Sequence, residues 1–377
     1  MLHSDLRLLV FNLATDEADP LLAFTTKWVE ALAERTRRVH VVTMREGPHR
    51  LPANVTVHSL GKEKGYSEPR RVVEFYRSLR AVRRDGVDVC FSHMMPLFTV
   101  MAGPLLKVDR VPIATWYAHP KVSNQLRLAH RVSDRMVASV PSAYPYRHDK
   151  LVVTGQGIDT RRFAPGPPGP SADDPPLVLY VGRVSPAKDV RTLVRAAAVL
   201  KRTLSQPFTV GIVGGPAVPT DEDYLSAVRA DVAELGLQDT VWFHPLVPFE
   251  ELPDWYRRAA VFVNLSPTGF GDKVAWEAMA CGVPSVLANE GFADTLGPHR
   301  DDLLFGHGDA DDLAARLARL LTQPAARRRQ IGDDLRAQVI ALHEFEQLAD
   351  RLVRLFLELH ERARPAPAAA AGSGGRR

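Results

Sequence analysis

At 377 residues the chain is long enough for two domains. With 45% hydrophobic and 24% charged residues it has the balance of a soluble globular protein, not of a low-complexity or membrane-embedded chain. Residues 1–150 hold 23 Lys+Arg against 15 Asp+Glu, a net of +8, and the remainder is net −4; the basic half suits peripheral contact with an anionic membrane face, an anionic acceptor or nucleic acid, and equally an arginine-rich solvated surface with no partner.

The first apolar run, LRLLVFNL (6–13), reads as a strand. It has no basic leader and acidic residues follow it at once, so a signal peptide is not expected. No stretch approaches the roughly 20 apolar residues that cross a bilayer. A helix is expected over 19–35, then strands at 39–44 and 55–60, and a basic amphipathic helix over 67–86 that stops at Gly86. Strands at 87–94, 112–119 and 136–140 follow, with helices between them. Cys90 lies in one of these strands and the other cysteine, Cys281, lies far from it; they match no disulfide or metal spacing, which suits a reducing, cytoplasmic compartment.

The second half repeats the alternation, with strands at 177–184, 208–215, 241–246, 261–266 and 284–288. Near-continuous apolar runs separated by helices indicate parallel strands covered on both faces, hence doubly wound α/β sheets. Between the halves APGPPGPSADDPP (164–176) reads as an exposed linker, so the domains are expected at 1–163 and 177–342. Residues 343–363 read as a helix packing back on the body, and 364–377 as a low-complexity, disordered tail.

Three segments carry candidate chemistry. In SPTGFGDKVAWEAMACGVPSV (266–286) a glycine-broken loop leads into a short helix starting near Asp272. A helix N-terminus favours phosphate, and Gly269 and Gly271, either side of Phe270, let backbone approach a ligand. Glu277 shares a helix face with Lys273; it either accepts two vicinal ribose hydroxyls or pairs with Lys273 at the surface. In VGRVSPAKDV (181–190), Arg183 and Lys188 stand on a loop before a helix starting near Asp189. There they form a diphosphate site that can also stabilise a departing phosphate, or they are two ordinary surface cations. No phosphate-loop or dinucleotide fingerprint is present. In TWYAHP (115–120) His119 ends a strand, as His93 does in FSHMMP (91–96). Each imidazole could bond a sugar hydroxyl or the reacting centre, or cap a strand structurally. Asp16, Glu17 and Asp19 form an acidic loop that either touches an acceptor hydroxyl or is simply solvated. No Asp-X-Asp pair or metal-spaced His/Cys set marks a strand end in the second half, so no metal is expected there.

The words YVGRVSPAKDVRTLVRA, IVGGP, LPDWYRRAAVFVNLSP, WEAMACGVPSV and LLFGHGDADDLAARL, in that order over 176–323, resemble the nucleotide-sugar domain of GT-B glycosyltransferases of family 4. WYAH and GQGIDTRRF (155–163) are similar to parts of that family's first domain. The resemblance implies two Rossmann-like domains facing across a cleft, and retaining transfer of a hexosyl group from a nucleotide-sugar to a glycan, lipid-linked or small-molecule hydroxyl. It implies neither metal nor cofactor, and a role in polysaccharide biosynthesis. Arg183 and Lys188 would hold the donor diphosphate, Glu277 the ribose, and the loop Gly269, Phe270, Gly271, Asp272 and Lys273 the phosphate and sugar. His119 would lie beside the transferred sugar and, with Arg183 and Lys188, make up the catalytic set. His93, Asp16 and Asp19 are acceptor-side candidates. The sequence departs from the family at three places, one of them EGFADTLG (290–297), which is looser than the family form. The position eight before Glu277, a second glutamate in the family, is Gly269, and a Gly-Gly loop is replaced by ATDEADPLLAF (14–24). Rival readings are a nucleotide-sugar epimerase or phosphorylase of the same architecture, a non-catalytic sugar-nucleotide binder, and a nucleic-acid binder using the basic half; for the last, no recognised motif is present, so no nucleic acid is expected.

Overall fold

Every ladder between the strands is parallel, as the unbroken apolar runs require. The structure is a computed structural model describing residues 3–19, 22–166 and 175–364. The first lobe runs β1 (Ser4–Thr15), α1 (Ala23–Ala33), β2 (Thr36–Glu46), β3 (Val55–Ser59), α2 (Glu68–Asp85), β4 (Val89–His93), α3 (Pro96–Val108), β5 (Ile113–Trp116), α4 (Asn124–Val132), β6 (Arg135–Ala138) and β7 (Leu151–Val153). Its sheet has the order β3-β2-β1-β4-β5-β6-β7. The second lobe runs β8 (Leu177–Val181), α5 (Val190–Thr203), β9 (Thr209–Val213), α6 (Pro219–Glu234), β10 (Val241–His244), α7 (Leu252–Arg258), β11 (Val261–Asn264), α8 (Lys273–Ala280) and β12 (Ser285–Leu287), in the order β10-β9-β8-β11-β12. The short helices α9 (Ala293–Leu296) and α10 (Arg300–Leu303) precede α11 (Ala310–Thr322), α12 (Ala325–His343) and α13 (Phe345–Ala363). No described helix is long and apolar enough to cross a membrane.

Local chemistry sets the boundaries. The Ser123 hydroxyl caps α4 by accepting from Leu126 N at 3.1 Å. α2 carries Pro in its first turn and ends at Gly86, whose φ is +90°. The helix expected from residue 19 begins at Ala23, because the Asp19 carboxylate turns back to accept from Leu22 N at 2.8 Å. β7 was not expected from the sequence; its apolar run is only three residues long, none of them fully buried, and it pairs with β6 only through Met136, Val137 and Ala138.

The first sheet is packed on both faces. Leu9, Phe11, Phe75, Leu79 and Phe98 fill one side, and Leu8, Val10, Trp28, Leu32 and Phe356 the other. Phe356 belongs to α13, which leaves the second lobe and covers the first. Phe163 packs on Phe249 and Tyr256, with ring centroids 5.5 and 6.0 Å apart, so the chain has entered the second lobe before the proline-rich stretch. Of the expected linker, 167–174 lie outside the described residues, as do 365–377 of the expected tail.

Candidate functional site

The order of the second sheet reverses between β8 and β11, and loops leaving the carboxyl ends of both strands meet at that switch point, where open α/β sheets take their ligands. The β8 loop supplies Lys188. Its ammonium donates to Asp272 Oδ1 and Oδ2 at 2.5 and 2.6 Å and to Ser266 Oγ at 3.0 Å. Asp272 also accepts from Ser266 Oγ and, at 3.0 Å, from Asn264 Nδ2 at the end of β11. Burial by itself would raise the Asp272 carboxyl, but Lys188, Ser266 and Asn264 outweigh it and hold the group below the ordinary carboxylate range. Asp272 is the N-cap residue of α8, yet its side chain makes no capping bond. With the cap carboxylate turned toward Lys188, the first turn of α8 keeps N–H groups free for a ligand.

Arg183, on the same loop, is 45% exposed, with Asp221 3.9 Å away. Its backbone oxygen accepts from the Tyr180 hydroxyl at 2.8 Å. The floor beside it is built of glycine: a Cβ on Gly214, at φ +135°, would stand 1.9 Å from Gly182 O, so no side chain fits between the exits of β8 and β9. Ser185 Oγ, on this loop, is buried and has no partner among the described residues.

The loop 266–272 is pinned from behind, with Asn289 Nδ2 donating to Phe270 O at 2.6 Å and Glu290 N to Thr268 Oγ1 at 3.1 Å. In front it meets the first lobe. Gly269 has φ +104°, and a Cβ there would come within 3.2 Å of Pro120 Cβ. This brings His119 to the seam. Its Nδ1 accepts from Lys121 N at 3.1 Å, so the neutral ring keeps its Nε2–H as a donor, and the side chain is exposed.

Lys273 and Glu277 do not close on each other as the i, i+4 spacing allows. The Lys273 ammonium lies 3.7 Å from the centroid of the Phe24 ring, across the seam on α1. Burial pushes it down, to about 8, with the Glu277 charge opposing and Lys27 assisting. Glu277 is 5% exposed and accepts from the Tyr256 hydroxyl at 3.1 Å. Burial pushes its carboxyl up, to about 7, against the pull of Lys273 and Tyr256.

The first-lobe candidates separate. His93 is buried among Trp28, Phe24, Phe91 and Trp116, with the Trp28 ring 4.7 Å away, and burial and the Lys273 charge push it down to about 3. Its surroundings are those of a neutral core histidine. Asp16 accepts from Ala18 N at 2.9 Å within its own loop, and Asp19 pairs with Arg45. The residues that hold the site from behind, Asn264, Ser266, Tyr256 and Asn289, were not among the sequence candidates. Tyr256, Asn264 and Ser266 stand in the quoted word LPDWYRRAAVFVNLSP and Asn289 in none; nothing local marks the partners of Tyr256 and Asn289, which are 21 and 19 residues away in sequence.

Residues 167–336 match the family model described as glycosyl transferases group 1. The D-inositol 3-phosphate glycosyltransferase of Frankia alni is 37% identical to the chain over 215 residues, covering 52% of each. That of Thermobispora bispora is 32% identical over 212 residues, covering 51% of this chain and 49% of the relative. The chain spans about half the length of the curated relatives it matches. Among solved structures, sucrose-phosphate synthase from Thermosynechococcus elongatus superposes with a TM-score of 0.76 at 22% identity, covering 95% of this chain and 100% of that one. Anabaena HepE in complex with UDP gives 0.73 at 16% identity, covering 93% and 99%. At such identities the likeness is one of fold, and that fold is GT-B: two parallel-sheet, Rossmann-like lobes.

Proposed function

We propose that the protein is a glycosyltransferase that moves a sugar from a nucleotide-sugar to a hydroxyl acceptor with retention of the anomeric configuration, as in family 4. The observation that carries this reading is the Lys188–Asp272–Ser266 cluster at the mouth of α8, beside the exposed Arg183. The donor diphosphate would compete with Asp272 for the Lys188 ammonium, take the free N–H groups of α8 and gain Arg183. Ser185, a buried hydroxyl with no described partner on this loop, suits a site that a polar ligand completes.

As the bond from the anomeric carbon to the phosphate oxygen lengthens, negative charge grows on the diphosphate, where these groups already stand. The acceptor oxygen bonds the anomeric carbon on the same face, and its proton passes to the departing phosphate oxygen. His119 would donate its Nε2–H to the transferred sugar. Glu277, behind the loop, would hold the ribose.

The relatives' activity as D-inositol 3-phosphate glycosyltransferases makes an inositol phosphate the first acceptor to test. The arginines of α2 belong to a separate question: Arg80, Arg83 and Arg84 lie with Arg7 and Val87 at the amino edge of the first sheet, away from the strand ends that carry the site, and there they would serve peripheral contact with an anionic membrane.

A thermal-shift series with UDP, GDP, ADP and their sugars, followed by acceptor trials read by NMR of the anomeric signal, tests the reading. One nucleotide should stabilise the protein and its sugar should turn over. Lys188→Ala should then lower kcat/KM about 100- to 1000-fold, the usual effect of removing a group that stabilises developing charge. Unchanged turnover in both Lys188→Ala and Arg183→Ala refutes the assignment.

A further inference from the structure

The chain passes between the lobes at two places, and these lie side by side. Gly157 N and Ile158 N both donate to His343 O, at 3.0 and 2.7 Å, and Phe345 N donates back to Ile158 O at 3.0 Å. Ile158 and Glu344 form a parallel bridge. The fit is close: a Cβ on Gly155, at φ +89°, would stand 2.0 Å from Leu342 O.

The His343 side chain, 3% exposed, occupies this junction. Its Nδ1 faces Gln156 N at 3.2 Å. A backbone N–H can only donate, so Nδ1 is the acceptor and the proton sits on Nε2. Nε2–H then donates to Thr295 Oγ1 at 2.8 Å, and that oxygen also accepts from Trp276 Nε1 at 3.1 Å. The Trp276 ring packs on the imidazole with centroids 4.7 Å apart. Trp276 precedes Glu277 on α8, the helix whose N-cap carboxylate holds Lys188.

Gln156 leads to the same loop from the other side. Its Oε1 is buried with no partner among the described residues, 3.7 Å from where a Cβ of Gly271 would stand; Ser139 Oγ, equally without a partner, is 3.5 Å from that point. One hydrogen-bonded chain, Trp276–Thr295–His343–Gln156, therefore runs from the middle of α8 to the hinge, and Gln156 then faces the loop that begins α8.

We propose that His343 is a positioning residue that ties the angle of α8 to the geometry of the interlobe hinge, so that the donor loop 266–272 and the lobe closure move together. The inference rests on the reading of α8 and its loop as the donor site for its consequence in catalysis, but not for the coupling itself. Neither link is replaceable by packing alone: the imidazole spans from a backbone N–H on one crossing to a hydroxyl behind α8, with one nitrogen for each.

Two near-isosteric substitutions cut the chain at different points. His343→Asn keeps an acceptor for Gln156 N and loses Thr295. Thr295→Val keeps the volume at 295 and loses the oxygen shared by His343 and Trp276. Hydrogen exchange on the full chain without ligand should show amides of both α8 and 154–158 exchanging about tenfold faster in each variant, with the strands of both sheets unchanged, and the double variant should add little to either single one. Faster exchange confined to the neighbourhood of the substituted residue, or spread evenly over the molecule, overturns the coupling. With a nucleotide-sugar identified, both variants should lower kcat about tenfold while nucleotide affinity, read by calorimetry, changes less than about threefold. An equal loss in affinity and turnover would show local damage at the site. If no nucleotide binds the unaltered protein, the donor reading fails while the exchange experiment still decides the coupling.

Discussion

Glu277 has two candidate partners in the sequence logic, a ligand and Lys273, and the structure gives it a third, the Tyr256 hydroxyl. Lys273 turns instead to Phe24, so the carboxyl is left in a dry site with one neutral donor and a cation acting only at a distance. Its pKa is raised from 4.5 to about 7, whereas in the unfolded chain it returns to the ordinary value. Between those two values the folded state holds a proton that the unfolded state has lost, so this group makes stability fall as pH rises through that window. The depressed Lys273 acts only from about 8 upward, where the folded state sheds its proton first and stability rises. Glu277→Gln should therefore flatten the decline in unfolding temperature between pH 5 and 7.5, which calorimetry at matched ionic strength reads directly. An unaltered slope would mean that Glu277 is ionised in the folded protein across that range. Lys188 and Arg183 are candidates in the sequence because they stand at a strand exit, and Glu277 because it is a carboxylate inside an otherwise apolar helix. The sequence could not show that Asp272 serves Lys188, since the two are 84 residues apart and meet only through the β8–β11 switch point. His93 follows the same strand-end rule, but of its two readings the structural one fits its surroundings, because α1 lays Phe24 and Trp28 over the carboxyl end of β4.

Among the elements, strands were the most legible, because burial on both faces writes a continuous apolar run that survives without any knowledge of partners. β7 escaped because it is a three-residue edge strand with an exposed Val153. The loop before α8 is harder to read: glycine at 269 looks like the loss of a carboxylate until its backbone is seen. At φ +104°, with Pro120 facing the missing Cβ, the position demands glycine. Gly269→Ala should cost about 1–3 kcal/mol from the strained backbone and push the loop off Pro120. Gly65→Ala supplies the control, for Gly65 has φ +71° and open space around its missing Cβ. Both variants should unfold at lower temperature. Only Gly269→Ala should raise the KM for the donor; an equal rise in both would mean that loop placement at the seam does not matter to binding.

On the scale of the whole molecule, α13 decides how independent the lobes are. It follows α12 of the second lobe after one residue, yet buries Leu348, Leu352, Val353 and Phe356 against the first. Arg35, with 1% of its side chain exposed, donates to Asp350 at 2.7 Å and to Glu346 at 2.5 Å and ties α1 to the same helix. A buried cation with these two carboxylates, and Glu34 3.7 Å away, looks like the stronger half of this clasp, but Asp350 and Glu346 are 24% and 40% exposed. On removal of Arg35 they can turn to water, so Arg35→Met should cost about 1–3 kcal/mol, short of the toll for stranding a buried charge. Leu352 has no such escape; it is enclosed between α13 and the first sheet, and Leu352→Ala should cost about 2–5 kcal/mol. The apolar contact should thus outweigh the ionic one. Limited proteolysis checks the order: Leu352→Ala should expose α13 to cleavage sooner than Arg35→Met at the same temperature, and raised salt should narrow the margin between Arg35→Met and the unaltered protein, because only the ionic part is screened. The reverse order would make Arg35 the anchor of α13, and the lobes would then be joined by a charge that pH and salt can loosen.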